Sequence, residues 1–323
     1  MMKSGLIGWG WLSLFVLMLV ACGGEVADEA AQETSQSTQP VETPSDTPRG
    51  QLVSALEFSS ELIDKPVKYY LMLPQSYSSD GAKDFPVIYW LHGSGGFPPG
   101  MLQMFGKRFQ DAMQNGLIPE AIVVFPDGFV QSNWTNSKDK TLPMEDILIE
   151  ELIPRIDAEY RTIPNRSGRI LEGGSMGGYG AARLGLKHST LFAGFSMLNP
   201  GPMQRVMNVE EAPIVGREAA QRIFDTVYGG DQDYFQVQSP WQLALDHGAE
   251  VSEDTKIRLI LGGKDPTLKV NLAFADHLDS LSIQHELIVL EEAGHNPREM
   301  FAALGSDYWD FFRSLLAEAT PQR

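Results

Sequence analysis

The residues with the clearest chemical potential are Gly173-Gly174-Ser175-Met176-Gly177, inside the run RILEGGSMGGYGAA at 169–182. A short apolar pair, Ile170-Leu171, leads in and a helix-compatible segment follows. Gly-x-Ser-x-Gly between a strand and a helix is the sequence form of a nucleophile elbow. A serine on so tight a turn needs neighbours without side chains, which Gly173 and Gly177 supply. Gly178 and Gly180 would let the following helix lie close against a sheet. The turn lifts the Ser175 hydroxyl to the N-terminus of that helix, whose amides meet a developing negative charge. In a chain with 31 glycines the five-residue pattern is weak by itself, so the flanks must carry the argument.

A serine nucleophile needs a base, and the base needs an orienting acid. The chain has six histidines. His92 opens a glycine loop, His188 ends the helix after the serine, His247 and His277 sit on helices, and His285 begins a strand. Only His295 falls in the short loop after the last predicted strand, in Glu292-Ala293-Gly294-His295, from which an imidazole can lean over Ser175. It directly precedes a helix N-terminus, which disfavours the imidazolium unless a carboxylate partner outweighs that effect. Asp265, directly after the penultimate strand, is the natural acid, although Asp265-Pro266 also suits a turn. Asp231, Asp254 and Asp276 are weaker because none stands at a strand's carboxyl end. The order Ser175, Asp265, His295 is the order Ser…Asp…His.

The developing oxyanion needs two fixed donors. The Met176 amide, next to the nucleophile, is one; the glycine loop His92-Gly93-Ser94-Gly95-Gly96 offers the other, from Ser94. The loop lacks the Gly-Lys-Ser/Thr ending of a phosphate cradle. Asp231-Gln232-Asp233 is too short for a calcium loop, and no cluster has zinc spacing. No metal or cofactor is expected.

Elements able to position these residues alternate along the chain. Strand patterns cover 52–58 and 67–73 as antiparallel edge strands. Buried runs follow at 87–91, 121–125, 170–175, 192–198, 256–261 and 285–290. Helical spacing covers 109–115, 145–160 with Pro154 as kink or boundary, 176–187, 217–228, 240–247 with Ser239 as cap, 270–281, and a final helix opened by Asn296-Pro297-Arg298-Glu299. About eight mostly parallel strands with helices on both faces give an α/β fold with its chemistry beyond the strands' carboxyl ends. Residues 199–255 form a less regular, partly helical insertion over the site.

The N-terminus is of another kind. Lys3 and the apolar run Leu6–Val20 are an export signal, slightly short for a spanning helix. It ends Leu19-Val20-Ala21-Cys22, which resembles a bacterial lipobox, and Cys22 is the only cysteine. Residues 1–21 then read as a cleaved signal and Cys22 as a lipidated first residue. Residues 22–50 form an acidic, disordered tether without Leu, Ile or aromatic residues. The domain proper spans 51–323. Gly23 after Cys22 is not the Asp that often retains lipoproteins at the inner membrane, so the outer membrane or cell surface is favoured. A net charge of −17 argues against nucleic acid or an anionic membrane as partner, leaving the lipid anchor as the membrane contact. Oligomeric state is not written in the composition.

From about 52 to 318 the chain resembles the esterase D and feruloyl-esterase-like family of α/β-hydrolases. That family includes acetylxylan esterases, S-formylglutathione hydrolases and mycolyltransferases. The stretches that carry the resemblance are PVIYWLHGSGG, VVFPDG with SNWTN after it, ELIPRIDAEYRT, GGSMGGYGA, GGKD and AGH. The resemblance implies Ser175 as nucleophile, Asp265 as acid, His295 as base, and the Ser94 and Met176 amides as oxyanion donors. Trp134 then stands either in the acyl pocket or in the core, and Glu172, polar in a buried strand, has a structural hydrogen-bonding role. With an export signal, the implied substrate is an extracytoplasmic ester, small or glycan-linked, acetyl and feruloyl among the candidates. An acyltransferase of the same fold and a non-catalytic glycan- or partner-binding lipoprotein are the alternatives.

Overall fold

Strands buried on both faces read as unbroken apolar runs, and two such runs, with the glycine-ended strand beside them, form the middle of this molecule. The computed structural model describes residues 53–78, 81–98, 100–251 and 253–319. The stretches expected to be an export signal and a tether, and Cys22 between them, lie outside these residues. Among the described residues no helix is long and apolar enough to cross a membrane.

The strands are β1 (Ser54–Ser59), β2 (Pro66–Met72), β3 (Val87–Leu91), β4 (Ile122–Pro126), β5 (Arg169–Ser175), β6 (Gly194–Pro200), β7 (Lys256–Gly262) and β8 (Glu286–Leu290). They form one sheet in the order β1-β2-β4-β3-β5-β6-β7-β8. Only β2 runs against the rest, pairing antiparallel with β1 and β4. It is therefore an inner strand, not the edge strand its alternating pattern predicts. The helices are α1 (Met101–Gln114), α2 (Met144–Asp146), α3 (Ile153–Glu159), α4 (Met176–Lys187), α5 (Arg217–Tyr228), α6 (Gln232–Gln238), α7 (Pro240–His247), α8 (Leu268–Ser280), α9 (Pro297–Leu304) and α10 (Asp310–Ala319).

Side chains alternate along β3. Val87, Tyr89 and Leu91 join the core under α3, α4 and α8, while Ile88 and Trp90 join the core under α1, α9 and α10. Four further elements depart from the sequence reading. Helix α1 begins eight residues before the predicted 109. The single helix expected over 145–160 passes through a π-helical turn at Ile147–Leu152, just ahead of Pro154. A widened turn is one way to accommodate a residue that cannot donate to the turn before it. The final helix breaks at Gly305, whose φ of 54° ends α9 before α10 starts. Helix α6 went unpredicted; Asp231 caps it by accepting from the Asp233 and Tyr234 amides.

The insertion has its own small core of Ile223, Val227, Tyr228 and Phe235. Arg183 of α4, fully buried, fastens it to the frame. Its guanidinium donates to Gln238 Oε1 at 2.6 Å and Trp134 O at 2.8 Å, and pairs with Glu145 Oε2 at 2.8 Å. Burial pushes the Glu145 carboxyl up, but Arg183, His188 and Lys187 outweigh it and hold it far below the usual carboxylate range.

A carboxyl depressed in the folded state adds stability that is complete above its unfolded pKa, about 4.3, and is lost as pH falls toward the folded value. Glu145→Gln is expected to cost about 3–5 kcal/mol at pH 7, because Arg183 is left buried without its counter-charge. It should also flatten the loss of stability below about pH 4. Urea unfolding at pH 7, 4 and 3 checks both; a variant with the wild-type slope below pH 4 removes Glu145 as a source of acid sensitivity.

Candidate active site

Ser175 ends β5 and caps α4 with φ 56° and ψ −120°, a conformation non-glycine residues seldom adopt. Close packing on both sides enforces it. A Cβ at Gly173 would stand 2.1 Å from Gly177 O, and one at Gly177 would stand 2.0 Å from Leu91 O. The β5–β6 register also slips between Gly174 and Ser175, so the serine leaves the sheet as the strand ends. Gly178 brings α4 against Pro200 of β6. Gly180 does something other than expected: a Cβ there would strike Trp134 Cγ at 2.5 Å, so it admits an indole rather than the sheet.

The last two strands, β7 and β8, beyond β6 in the sheet, deliver the partners. His295 follows β8, with Nε2 2.9 Å from Ser175 Oγ and Nδ1 2.6 Å from Asp265 Oδ2. Asp265 follows β7 and is buried. Its other oxygen accepts from the Thr267 amide at 2.8 Å and the Thr267 hydroxyl at 2.7 Å. Burial alone would raise the Asp265 carboxyl, but the bonds from His295 and Thr267 win and hold it below the usual carboxylate range. The carboxylate therefore stays charged beside the imidazole.

The glycine loop lies directly on Ser175, since a Cβ at Gly93 would meet the serine Cβ at 3.1 Å. Gly95 and Gly96 commit their amides to Val130 O and Gly93 O. Ser94 stays beside Ser175, and the Met176 amide, first in α4, has no intrahelical acceptor. Buried His92 holds the loop in place: its Nδ1 lies 2.7 Å from Gly93 O, and its Nε2 accepts from the Gly128 amide at 2.8 Å. That arrangement requires the neutral imidazole with the proton on Nδ1.

Trp134 is the correction. Its side chain is fully buried between Gly128 and Gly180 and lines neither cavity at Ser175; Nε1 donates to His92 O at 3.2 Å. Asn133 and Trp134 both have positive φ, a turn that drives the indole inward and leaves Asn133 on the cavity wall. Trp134 thus supports the glycine loop from behind. Glu172 has the structural role expected of it, accepting from Trp90 Nε1 at 3.0 Å, from Arg258 at 3.1 Å and from the Tyr308 hydroxyl.

Two side chains escaped sequence reading altogether. Asn199, near the end of β6 between the serine strand and the acid strand, donates to Gly294 O at 2.7 Å and accepts from the Gly262 amide at 2.7 Å. It pins the start of the acid loop to the residue before His295. A polar residue closing the buried run Phe195–Leu198 was the available signal. Thr267, two residues past Asp265 in an Asx-type turn, could have been found the same way.

Two cavities open on Ser175. One, of about 70 Å³, lies toward the insertion and is lined by Met176, Tyr179, Asn133 and Val215. The other, of about 310 Å³, lies toward α1 and α9 and is lined by Trp90, Met101, Phe105, His295 and Met300. Among the described residues no group of three or more His, Cys, Asp or Glu could hold a metal ion.

The family model described as "Putative esterase" matches residues 59–322. The chain belongs to that family. Its mostly parallel sheet with helices on both faces has the α/β-hydrolase arrangement. Among curated proteins, Esterase Rv1288 of Mycobacterium tuberculosis is 31% identical over 129 residues, 39% of this chain and 27% of that protein. An uncharacterized protein of Corynebacterium glutamicum is 24% identical over 223 residues, 67% of this chain and 49% of its own length. The chain thus spans about half or less of the length of these relatives. Among solved structures, a ferulic acid esterase aligns with a TM-score of 0.66 at 20% identity, covering 81% of this chain and 98% of that one. An S-formylglutathione hydrolase from Agrobacterium tumefaciens aligns with a TM-score of 0.65 at 18% identity, covering 84% and 98%. At these identities the structural likeness speaks for the fold.

Asn199→Ala is expected to lower kcat by about 10–100-fold through small displacements of both loops, without loss of the fold. Steady-state kinetics beside circular dichroism check this. Wild-type kcat in the folded variant would show that the two loops hold their positions without it.

Proposed function

We propose that Ser175, His295 and Asp265 are the catalytic residues of this esterase and that it works through an acyl-enzyme. The observation that carries this reading is the unbroken hydrogen-bonded line from Ser175 Oγ through the imidazole to a buried carboxylate. His295 takes the Ser175 proton as Oγ attacks the ester carbonyl, and Asp265 holds the ring in the tautomer this requires. The Ser94 and Met176 amides receive the carbonyl oxygen as it becomes negative, each donor worth about 2.7–4 kcal/mol of barrier. The imidazole then gives its proton to the departing alkoxide, and a water repeats the sequence to release the acid.

The substrate is an extracytoplasmic carboxylic ester, for which the export signal at residues 1–21 is the support. Lipidated Cys22 would hold the enzyme at a bacterial membrane, the outer membrane or cell surface favoured, with residues 23–50 as a tether. Feruloyl esters enter as a candidate because a fold neighbour is a ferulic acid esterase, and acetyl esters through the family resemblance.

Ser175→Ala is expected to lower kcat on p-nitrophenyl acetate by about 10⁶-fold, the loss known for removing the serine of such a triad. A fluorophosphonate should label the wild type at Ser175 and leave the variant unmarked. Turnover by the variant within tenfold of wild type would overturn the assignment.

A further inference from the structure

Ser175 stands between two unequal cavities, and the reaction decides which end of the ester enters each. The Ser175 Oγ–H proton passes to His295 Nε2 as Oγ bonds to the carbonyl carbon. When the bond from that carbon to the alcohol oxygen breaks, the same proton goes to the alkoxide. The alcohol must therefore leave on the side where the imidazole stands. His295 lines the 310 Å³ cavity and does not line the 70 Å³ one. We propose that the enzyme takes esters of a short acyl group with a bulky apolar alcohol, the alcohol lodged against Trp90, Met101, Phe105 and Met300. This inference rests on the serine-esterase reading and adds a substrate class to it.

The lining is the first support. Trp90 and Phe105 are buried with ring centroids 4.1 Å apart and form an aromatic floor. Met300, fully buried, and half-buried Met101 form walls that can adapt to different ring shapes. The state of the polar groups is the second. Trp90 Nε1 is committed to Glu172, and both ends of the Asn199 amide are committed to backbone groups. The Asn296 carboxamide accepts from the Arg298 amide at 3.0 Å and faces Glu299 Oε1 at 3.4 Å. The Ser94 hydroxyl remains, and it sits at the reacting end. A sugar would bring more hydroxyls into this cavity than its few uncommitted polar groups can receive, each unpaired one costing about tenfold in kcat/KM. An aryl or alkyl group of the same size gains by leaving water.

The opposite cavity supplies the complement. At 70 Å³ it has about half the volume of an apolar cavity of ~150 Å³ that just holds benzene. It suits an acetyl or propionyl group and not an aromatic acid, which favours acetyl over feruloyl among the acyl candidates. Ile214 and Val215, on the irregular segment ahead of α5, line both cavities and form the partition between them.

The test uses the full-length protein in detergent and acetates whose alcohols are all unactivated: 2-naphthylmethyl acetate, ethyl acetate and glucose 6-O-acetate. All three pass through one acetyl-enzyme, so discrimination between the alcohols is read in kcat/KM. The expected result is a kcat/KM for 2-naphthylmethyl acetate at least 100-fold above that for glucose 6-O-acetate. In Met101→Gln, and separately in Met300→Gln, the naphthylmethyl-to-ethyl ratio should fall at least tenfold. Ethyl 3-phenylpropanoate, which moves the ring to the acyl side, should be at least tenfold poorer than ethyl acetate. Equal use of the sugar and naphthylmethyl acetates overturns the proposal, as does a preference for ethyl 3-phenylpropanoate over 2-naphthylmethyl acetate. Absence of fluorophosphonate labelling together with no turnover of any of the four esters overturns the esterase reading itself, a separate outcome.

Discussion

One residue with a side chain is held where the backbone prefers glycine, and the rest of the site is arranged around that strain. Ser175 costs on the order of 1–3 kcal/mol to keep at φ 56°, and only an over-determined surrounding keeps it there. The surrounding is the near contact of three backbone segments: β5 at Gly173, α4 at Gly177 and the end of β3 at Leu91. No side chain fits in that junction at Gly173 or Gly177, whereas a Cβ at Gly174 would meet nothing nearer than Trp90 at 3.5 Å. The same junction places the glycine loop after β3 against the nucleophile. Strained serine, oxyanion loop and helix N-terminus are therefore consequences of one close approach.

Much of this was legible in the chain because the decisive signals are local. Glycines flanking a serine, an Asp just past one buried run and a His just past the next require no knowledge of packing. Strand positions were equally plain, since continuous apolar runs ending in Gly or Asp have few other readings. Trp134 was not resolvable, because an aromatic residue beside a site can face the ligand or prop up a loop. What settles it is a positive φ at two consecutive residues and a glycine 46 positions later on α4. Asn199 was missed for a related reason: its role is to bond two backbone groups from strands distant in sequence. The extent of α1 and the break at Gly305 are matters of boundary, where propensity is weak and tertiary packing decides.

Behind the sheet, the polar network on Glu172 links catalysis to stability. Glu172, Arg258, Tyr308 and Trp90 meet in a fully enclosed place, where an uncompensated charge could not be tolerated. Because Glu172 belongs to the serine strand and Trp90 to the strand beside it, the indole that floors the larger cavity is fixed relative to the nucleophile. The rotamer of the cavity floor and the electrostatics of the deep core are thus the same interaction viewed from opposite ends.

The satellite core formed by Ile223, Val227, Tyr228 and Phe235 has a consequence for how such a protein can diversify. Substitutions that act through separate packing units tend to add rather than couple. The roof over the acyl side rests on its own apolar cluster and is fastened to the scaffold through Arg183. Changes among its loop residues can remodel the chamber above the serine while the junction that strains the serine goes undisturbed. Selection is then free to alter what the molecule accepts without renegotiating how it folds.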